Sequence, residues 1–202
     1  MKKNTITQDR TRFIGGSDIP TLLGLNKYKT REDLVLEYAG IVERNFNGNQ
    51  FTEYGNLMED KIRNYANKLL GFNCEPKCSK SFKQCIRCNT DGYDPNNKVI
   101  FEIKTNDGKH SNTIDYEVQM QLYMWKFKCK KGYLIQYKRP DDFWRGFDPK
   151  FHLDDSYFNT EFDSENVKVT EIKYAPHLVK EILDRIKDFW IEVEKFKGGN
   201  CG

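Results

Sequence analysis

Hydrophobic positions along this chain recur first at helical and then at strand spacing. A Gly15-Gly16 turn leads into a short helix with Ser17 as its N-cap and Asp18 and Pro20 in its first turn. Thr30, with Asp33 three residues on, opens a second helix that turns Leu34, Leu36 and Tyr38 inward and ends at Gly40. A polar loop follows over 43–50. A longer helix over about 51–70 carries Leu57, Ile62, Tyr65, Leu69 and Leu70 as its apolar stripe and stops at Gly71. The period then changes. Residues 73–104 read as three antiparallel strands separated by Asn, Asp, Pro and Gly turns. A helix over 115–127 packs Val118, Leu122 and Trp125 on one face and sets Gln119 and Tyr123 on another. A buried strand at 132–137 comes next, then further sheet segments at 147–153 and 167–174. The last helix, over 176–196, points Leu178, Ile182, Ile186, Phe189 and Val193 inward.

At 202 residues the chain suits one α/β core, read as a single domain over 1–202. Its hydrophobic fraction of 38% is enough for a core and argues against bulk disorder. No apolar run approaches a membrane span, and the Met1-Lys2-Lys3 start lacks the apolar stretch of a secretion signal. The expected setting is therefore intracellular, in the cytoplasm of a host cell or in a nucleus, with reduced cysteines and no membrane partner. Net charge is only +3, so attraction to a polyanion has to come from distribution: Lys126, Lys128, Lys130 and Lys131 cluster, as do Lys77, Lys80, Lys83 and Arg87.

The densest chemistry lies at residues 89–104. Strand alternation sends Glu102 and Lys104 to one face and Ile103 to the other, while Asp91 sits on the neighbouring strand beside Glu102. An isolated Glu-x-Lys pair is ordinarily a solvated ion pair. Two carboxylates with a lysine nevertheless suit a hard divalent cation: Asp91 and Glu102 could hold magnesium or manganese, with the Ile103 carbonyl as a neutral ligand. Lys104 would orient water and stabilise charge during attack on a phosphodiester.

Asp91, ten intervening residues and Glu102-Ile103-Lys104 resemble the signature of the PD-(D/E)XK nuclease superfamily. The Thr90-Asp91-Gly92 lead-in is similar to the Pro-Asp-Gly of the lambda exonuclease and YqaJ-type viral recombinase branch, with Thr90 in place of the usual proline. Three more blocks occur in that branch's order. Arg12 followed by Gly15-Gly16-Ser17-Asp18 resembles its N-terminal block, which implies that Arg12 and Ser17 bind a terminal phosphate. Gly55-x-x-x-Glu59 resembles the helical motif that donates another carboxylate to the metal. Gln119-x-Gln121-x-x-Met124-Trp125 resembles the helix whose glutamine contacts the active site, without choosing between Gln119 and Gln121. The resemblance implies a restriction-endonuclease-like core, a central mixed sheet flanked by helices, in a metal-dependent DNA exonuclease acting 5′ to 3′ on linear duplex ends in recombination. A single-strand annealing protein and a homo-oligomer are the partners it would bring.

Two other readings compete. A nuclease fold can bind nucleic acid or protein without cutting. Cys74, Cys78, Cys85 and Cys88 could form a structural zinc or iron–sulfur site, as in metal-cluster nucleases. Alternation along a strand separates Cys85 from Cys88 and disfavours the cluster.

Overall fold

The computed structural model describes residues 11–44, 48–109, 113–145 and 157–198. Six strands form one mixed sheet: β1 Ile14–Gly15, β2 Glu75–Ser81, β3 Ile86–Asp94, β4 Val99–Asn106, β5 Lys131–Lys138 and β6 Val167–Lys173. The order is β1-β3-β4-β5-β6, with β2 paired to the other edge of β3. Among the described residues five α-helices accompany it: α1 Ile19–Leu22, α2 Arg31–Ala39, α3 Gln50–Leu70, α4 Ile114–Phe127 and α5 Pro176–Gly198. The parallel β4–β5 pair needs a crossover, which α4 supplies.

Capping explains where the main helices begin and end. Thr30 and Asp33 make a reciprocal capping box on α2, and Gly40 closes it in the left-handed conformation. Asn49 caps α3 through Thr52 N, and Gly71 ends it in the same left-handed way. Ser17 does not cap a helix. Gly15 precedes a 3-10 turn over Gly16–Asp18, Asp18 precedes α1, and neither end has a side-chain cap bond.

The sheet separates two cores. On one face α3 packs Tyr54, Met58, Ile62 and Ala66 against Phe101, Ile103, Ile135 and Tyr137. On the other, α1, α2, α4 and α5 cover Ile14, Ile86, Cys88, Ile100 and Leu134. The expected helix stripes are displaced by a position in places. Leu69 of α3 is 55% exposed, and Val179 rather than Leu178 is fully buried on α5. Each helix is rotated by the shape of the sheet beneath it, which sequence spacing does not encode. In α4 both faces are covered, so Val118 through Met124 are all buried, glutamines included. The expected strand at 147–153 falls outside the described residues.

Candidate active site

Two features of β3 prepare a polar site inside an otherwise apolar sheet. First, β3 meets two partners on the edge opposite β2: β1 beside Ile86 and Arg87, and β4 only beside Gly92 to Asp94. Beyond Gly92 the β3–β4 ladder stops, so the two strands fork. Second, β3 spends three residues between Thr90 and Tyr93 while β2 spends two between Lys77 and Glu75. That extra residue is a β-bulge, and it shifts the alternation. Cys88 and Tyr93 consequently face the same helical layer although they are five residues apart. Gly92 is required at the bulge, because a Cβ there would lie 2.9 Å from Cys74 Cβ and 3.1 Å from Phe101 Cβ.

At the fork the Asp91 carboxylate replaces the missing ladder: Oδ2 accepts from Ile103 N–H at 2.8 Å. Buried Thr90 closes the rest, its hydroxyl lying 2.9 Å from both Gly92 O and Phe101 O. Glu102 is 1% exposed and faces α4. Its Oε1 accepts from Gln119 Nε2 at 2.6 Å and pairs with Lys104 Nζ at 2.5 Å. Its Oε2 is buried with no hydrogen-bond partner. Lys104 also lies over the Tyr116 ring, 5.6 Å from its centroid.

From the opposite layer α3 contributes Glu59. Arg63, one turn further on and buried, donates to Glu59 Oε1 at 2.9 Å, to the Asp91 carbonyl at 3.1 Å and to Asp60. A cleft of about 380 Å³ lies among Phe51, Gly55, Glu59, Asp91, Ile103 and Lys104. Gly55 borders this cleft. A Cβ on it would stand 3.5 Å from Thr105 Oγ1, an ordinary contact, so no protein atom crowds it and the space it leaves belongs to the cleft.

Burial makes the carboxylates harder to ionise. Burial, then the neighbouring Asp91 charge, pushes Glu102 up to about 8. Burial raises Asp91 despite Lys104 and the Ile103 N–H, and burial followed by Asp91 raises Glu59. Lys104 moves upward because Glu102 and Asp91 outweigh its own desolvation, so it stands as an ammonium.

The sequence-predicted residues separate accordingly. Glu59, Asp91, Ile103 and Lys104 line one cleft, and Glu102 with Gln119 joins it through Lys104. Gln121 does not: its Nε2 donates to Lys173 O at 2.8 Å and its Oε1 accepts from Ala175 N at 2.8 Å, joining α4 to the β6–α5 connection. Arg12, before β1, and Ser17, in the 3-10 turn after it, are both exposed. That turn is coupled to the fork through Tyr123, whose hydroxyl accepts from Gln119 Nε2 at 3.0 Å and whose ring would meet a Gly16 Cβ at 2.2 Å. Asp18 anchors the same turn, accepting from Tyr38 OH at 2.8 Å and pairing with Arg44 at 3.2 Å.

Arg63, Thr90 and Tyr123 were missed as site residues. Glu59-x-x-x-Arg63 carried a signal, since that interval joins side chains one helical turn apart.

The cysteines do not converge. Cys74 is in the core beneath α3, Cys88 in the core beneath α4, Cys78 is exposed, and Cys85 lies before β3 with φ of +52°. Among the described residues no three His, Cys, Asp or Glu side chains are grouped closely enough to hold a metal ion. For the carboxylates the fit to a hard cation rests instead on the orphaned Glu102 Oε2, a buried acceptor with open coordination beside a second raised carboxylate.

The mixed sheet flanked by helices is a restriction-endonuclease-like fold of the lambda-exonuclease kind. Residues 7–137 match the model of the YqaJ-like viral recombinase domain, and the chain belongs to that family. It is 27% identical over 174 residues to the YqaJ protein of Bacillus subtilis strain 168, covering 80% of this chain and 54% of that protein, so it spans about half the relative's length. Its fold is similar to that of a phage-related exonuclease from Haemophilus somnus 129PT, with a TM-score of 0.71 at 19% identity over 93% of this chain and 96% of the other. An alkaline exonuclease from Laribacter hongkongensis gives a TM-score of 0.66 at 17% identity, over 92% and 90% of the two chains. Among the described residues no helix is long and apolar enough to cross a membrane.

Proposed function

We propose that this protein is a metal-dependent deoxyribonuclease that hydrolyses linear duplex DNA from its ends, 5′ to 3′, inside the cell during viral or phage recombination. The observation that carries the reading is the buried Glu102, held by Lys104 and Gln119 on one oxygen and left without a partner on the other. A structural ion pair would not leave a buried carboxylate oxygen unsatisfied beside a second carboxylate. Both raised acids are relieved by a divalent cation.

Asp91, Glu102 and the Ile103 carbonyl would hold magnesium or manganese, with Glu59 reaching in from α3. The ion supplies charge stabilisation for an in-line displacement at phosphorus. The cleft between α3 and β4 admits the phosphodiester. The Lys104 ammonium orients the attacking water and stabilises charge on the phosphoryl oxygen, while Gln119 fixes Glu102. Arg63 keeps Glu59 and the Asp91 backbone in register with one another. Arg12 and Ser17, exposed on either side of β1, would take the terminal phosphate. A single-strand annealing protein would receive the exposed strand, and copies of the chain would assemble around the duplex.

The test is a linear duplex labelled at one end, incubated with purified protein and magnesium beside a closed circular control. Nucleotide release from the linear DNA alone, abolished by chelator and by Lys104→Ala, is the expected result. Binding without cleavage in the presence of magnesium or manganese would instead make the protein a non-cutting member of its fold.

A further inference from the structure

Glu102 Oε1 holds both the Lys104 ammonium, at 2.5 Å, and Gln119, so a cation taken on the free Oε2 draws charge from the carboxylate and loosens its hold on Lys104. The ammonium then needs another acceptor close by. In the parallel β4–β5 register Leu134 stands beside Glu102 and Gln136 beside Lys104. Matched positions on neighbouring strands share a face, so Gln136 lies on the α4 side of the sheet with the ion pair. It is 6% exposed, between the fully buried Ile135 and Tyr137. Its Oε1 is buried and has no hydrogen-bond partner. An apolar residue would fill this position at lower free energy, since an unpaired buried amide oxygen is costly. Its neighbour on the opposite side is Lys168 of β6, which is exposed to solvent.

We propose that Gln136 is a positioning residue for the metal-bound state: its carbonyl oxygen accepts the Lys104 ammonium when a divalent cation on Glu102 weakens that ion pair. Lys104 thereby stays at the fork, charged and aimed at the phosphoryl group. The inference rests on the metal-dependent reading above and assigns a part of the sheet that the reading does not use.

The test is calorimetric titration of manganese into four proteins: the wild type, Gln136→Met, Lys104→Met and the double variant, with metal-free melting temperatures measured alongside. Gln136→Met alone should weaken manganese binding about tenfold, the scale of a lost outer-shell partner. In the Lys104→Met background the same change should have no effect, because no ammonium then competes for Glu102. The metal-free melting temperature of Gln136→Met should equal or exceed that of the wild type. Manganese affinity unchanged in Gln136→Met, or weakened equally in both backgrounds, overturns the inference and leaves the metal-dependent reading standing. A lowered metal-free melting temperature also overturns it, by making Gln136 a structural residue. A wild type that binds no manganese overturns both.

Discussion

Asp91 Oδ2 accepts a hydrogen bond from Ile103 N–H at 2.8 Å, across the point where β3 and β4 part. A carboxylate thus does the work of a ladder carbonyl, and the sheet opens at the residue that carries the charge. Asp91→Asn keeps an acceptor for this N–H and should fold with stability within about 1 kcal/mol of the wild type while losing nuclease activity. Asp91→Ala leaves the N–H buried and unpaired and should cost about 1 to 3 kcal/mol as well. Urea unfolding beside the cleavage assay distinguishes them, and equal activity in Asp91→Asn would remove Asp91 from the mechanism.

Glu102 sets the pH dependence of metal-free stability. Its acid constant is pushed up to about 8 by burial and by Asp91, so the native state binds this proton more tightly than the unfolded chain does. The stabilisation is therefore complete below about pH 4.5 and is lost as pH rises towards 8. Glu102→Gln should flatten this slope, and the variant should be inactive. Magnesium should restore wild-type stability at pH 8 and leave the variant unchanged. Melting curves at pH 5.5 and 8, with and without magnesium, measure all three.

Arg63 joins α3 to the fork through Glu59 and the Asp91 carbonyl. Arg63→Met removes a buried cation and leaves those oxygens without their donor, which should cost about 2 to 4 kcal/mol. Arg63→Lys recovers only part of this, since an ammonium does not reproduce the guanidinium fork. Chemical denaturation of the two variants gives the order, and the reverse order would make Arg63 a surface ion pair.

Gln119 and Gln121 should separate function from stability. Gln119→Leu removes the donor to Glu102 and should lower the cleavage rate about 10² to 10³-fold with folding retained. Gln121→Leu strands Lys173 O and Ala175 N, and should lower stability by about 1 to 3 kcal/mol while folded protein keeps its rate.

Arg12 and Ser17 should read the DNA end. A charge-assisted phosphate contact of about 1.5 to 3 kcal/mol predicts that 5′-phosphorylated duplex is digested roughly ten to a hundred times faster than 5′-hydroxyl duplex. Ser17→Ala should reduce that ratio without a loss of stability, because Ser17 caps no helix. Equal rates on both ends would assign the two residues a structural role.

Local rules were sufficient for much of this protein. The helix limits at Thr30, Gly40 and Gly71 follow from capping chemistry, and the strand carrying Glu102-Ile103-Lys104 follows from alternation, because both depend on neighbours within a turn or a pleat. The spacing of Asp91 from Glu102 likewise put the two on neighbouring strands, β3 and β4. What each side chain meets across the sheet depended on register and layer, which no local pattern contains. The bulge at Gly92 re-aims Asp91, the coverage of both faces of α4 buries its two glutamines alike, and the β4–β5 register sets Gln136 beside Lys104. The choice of Gln119 over Gln121 was decided only by packing: one amide reaches the forked strands and the other reaches the chain entering α5. Cys74 and Cys88 were separated by the same cause, since a sheet placed between two helical layers sends residues close in sequence into cores that do not touch.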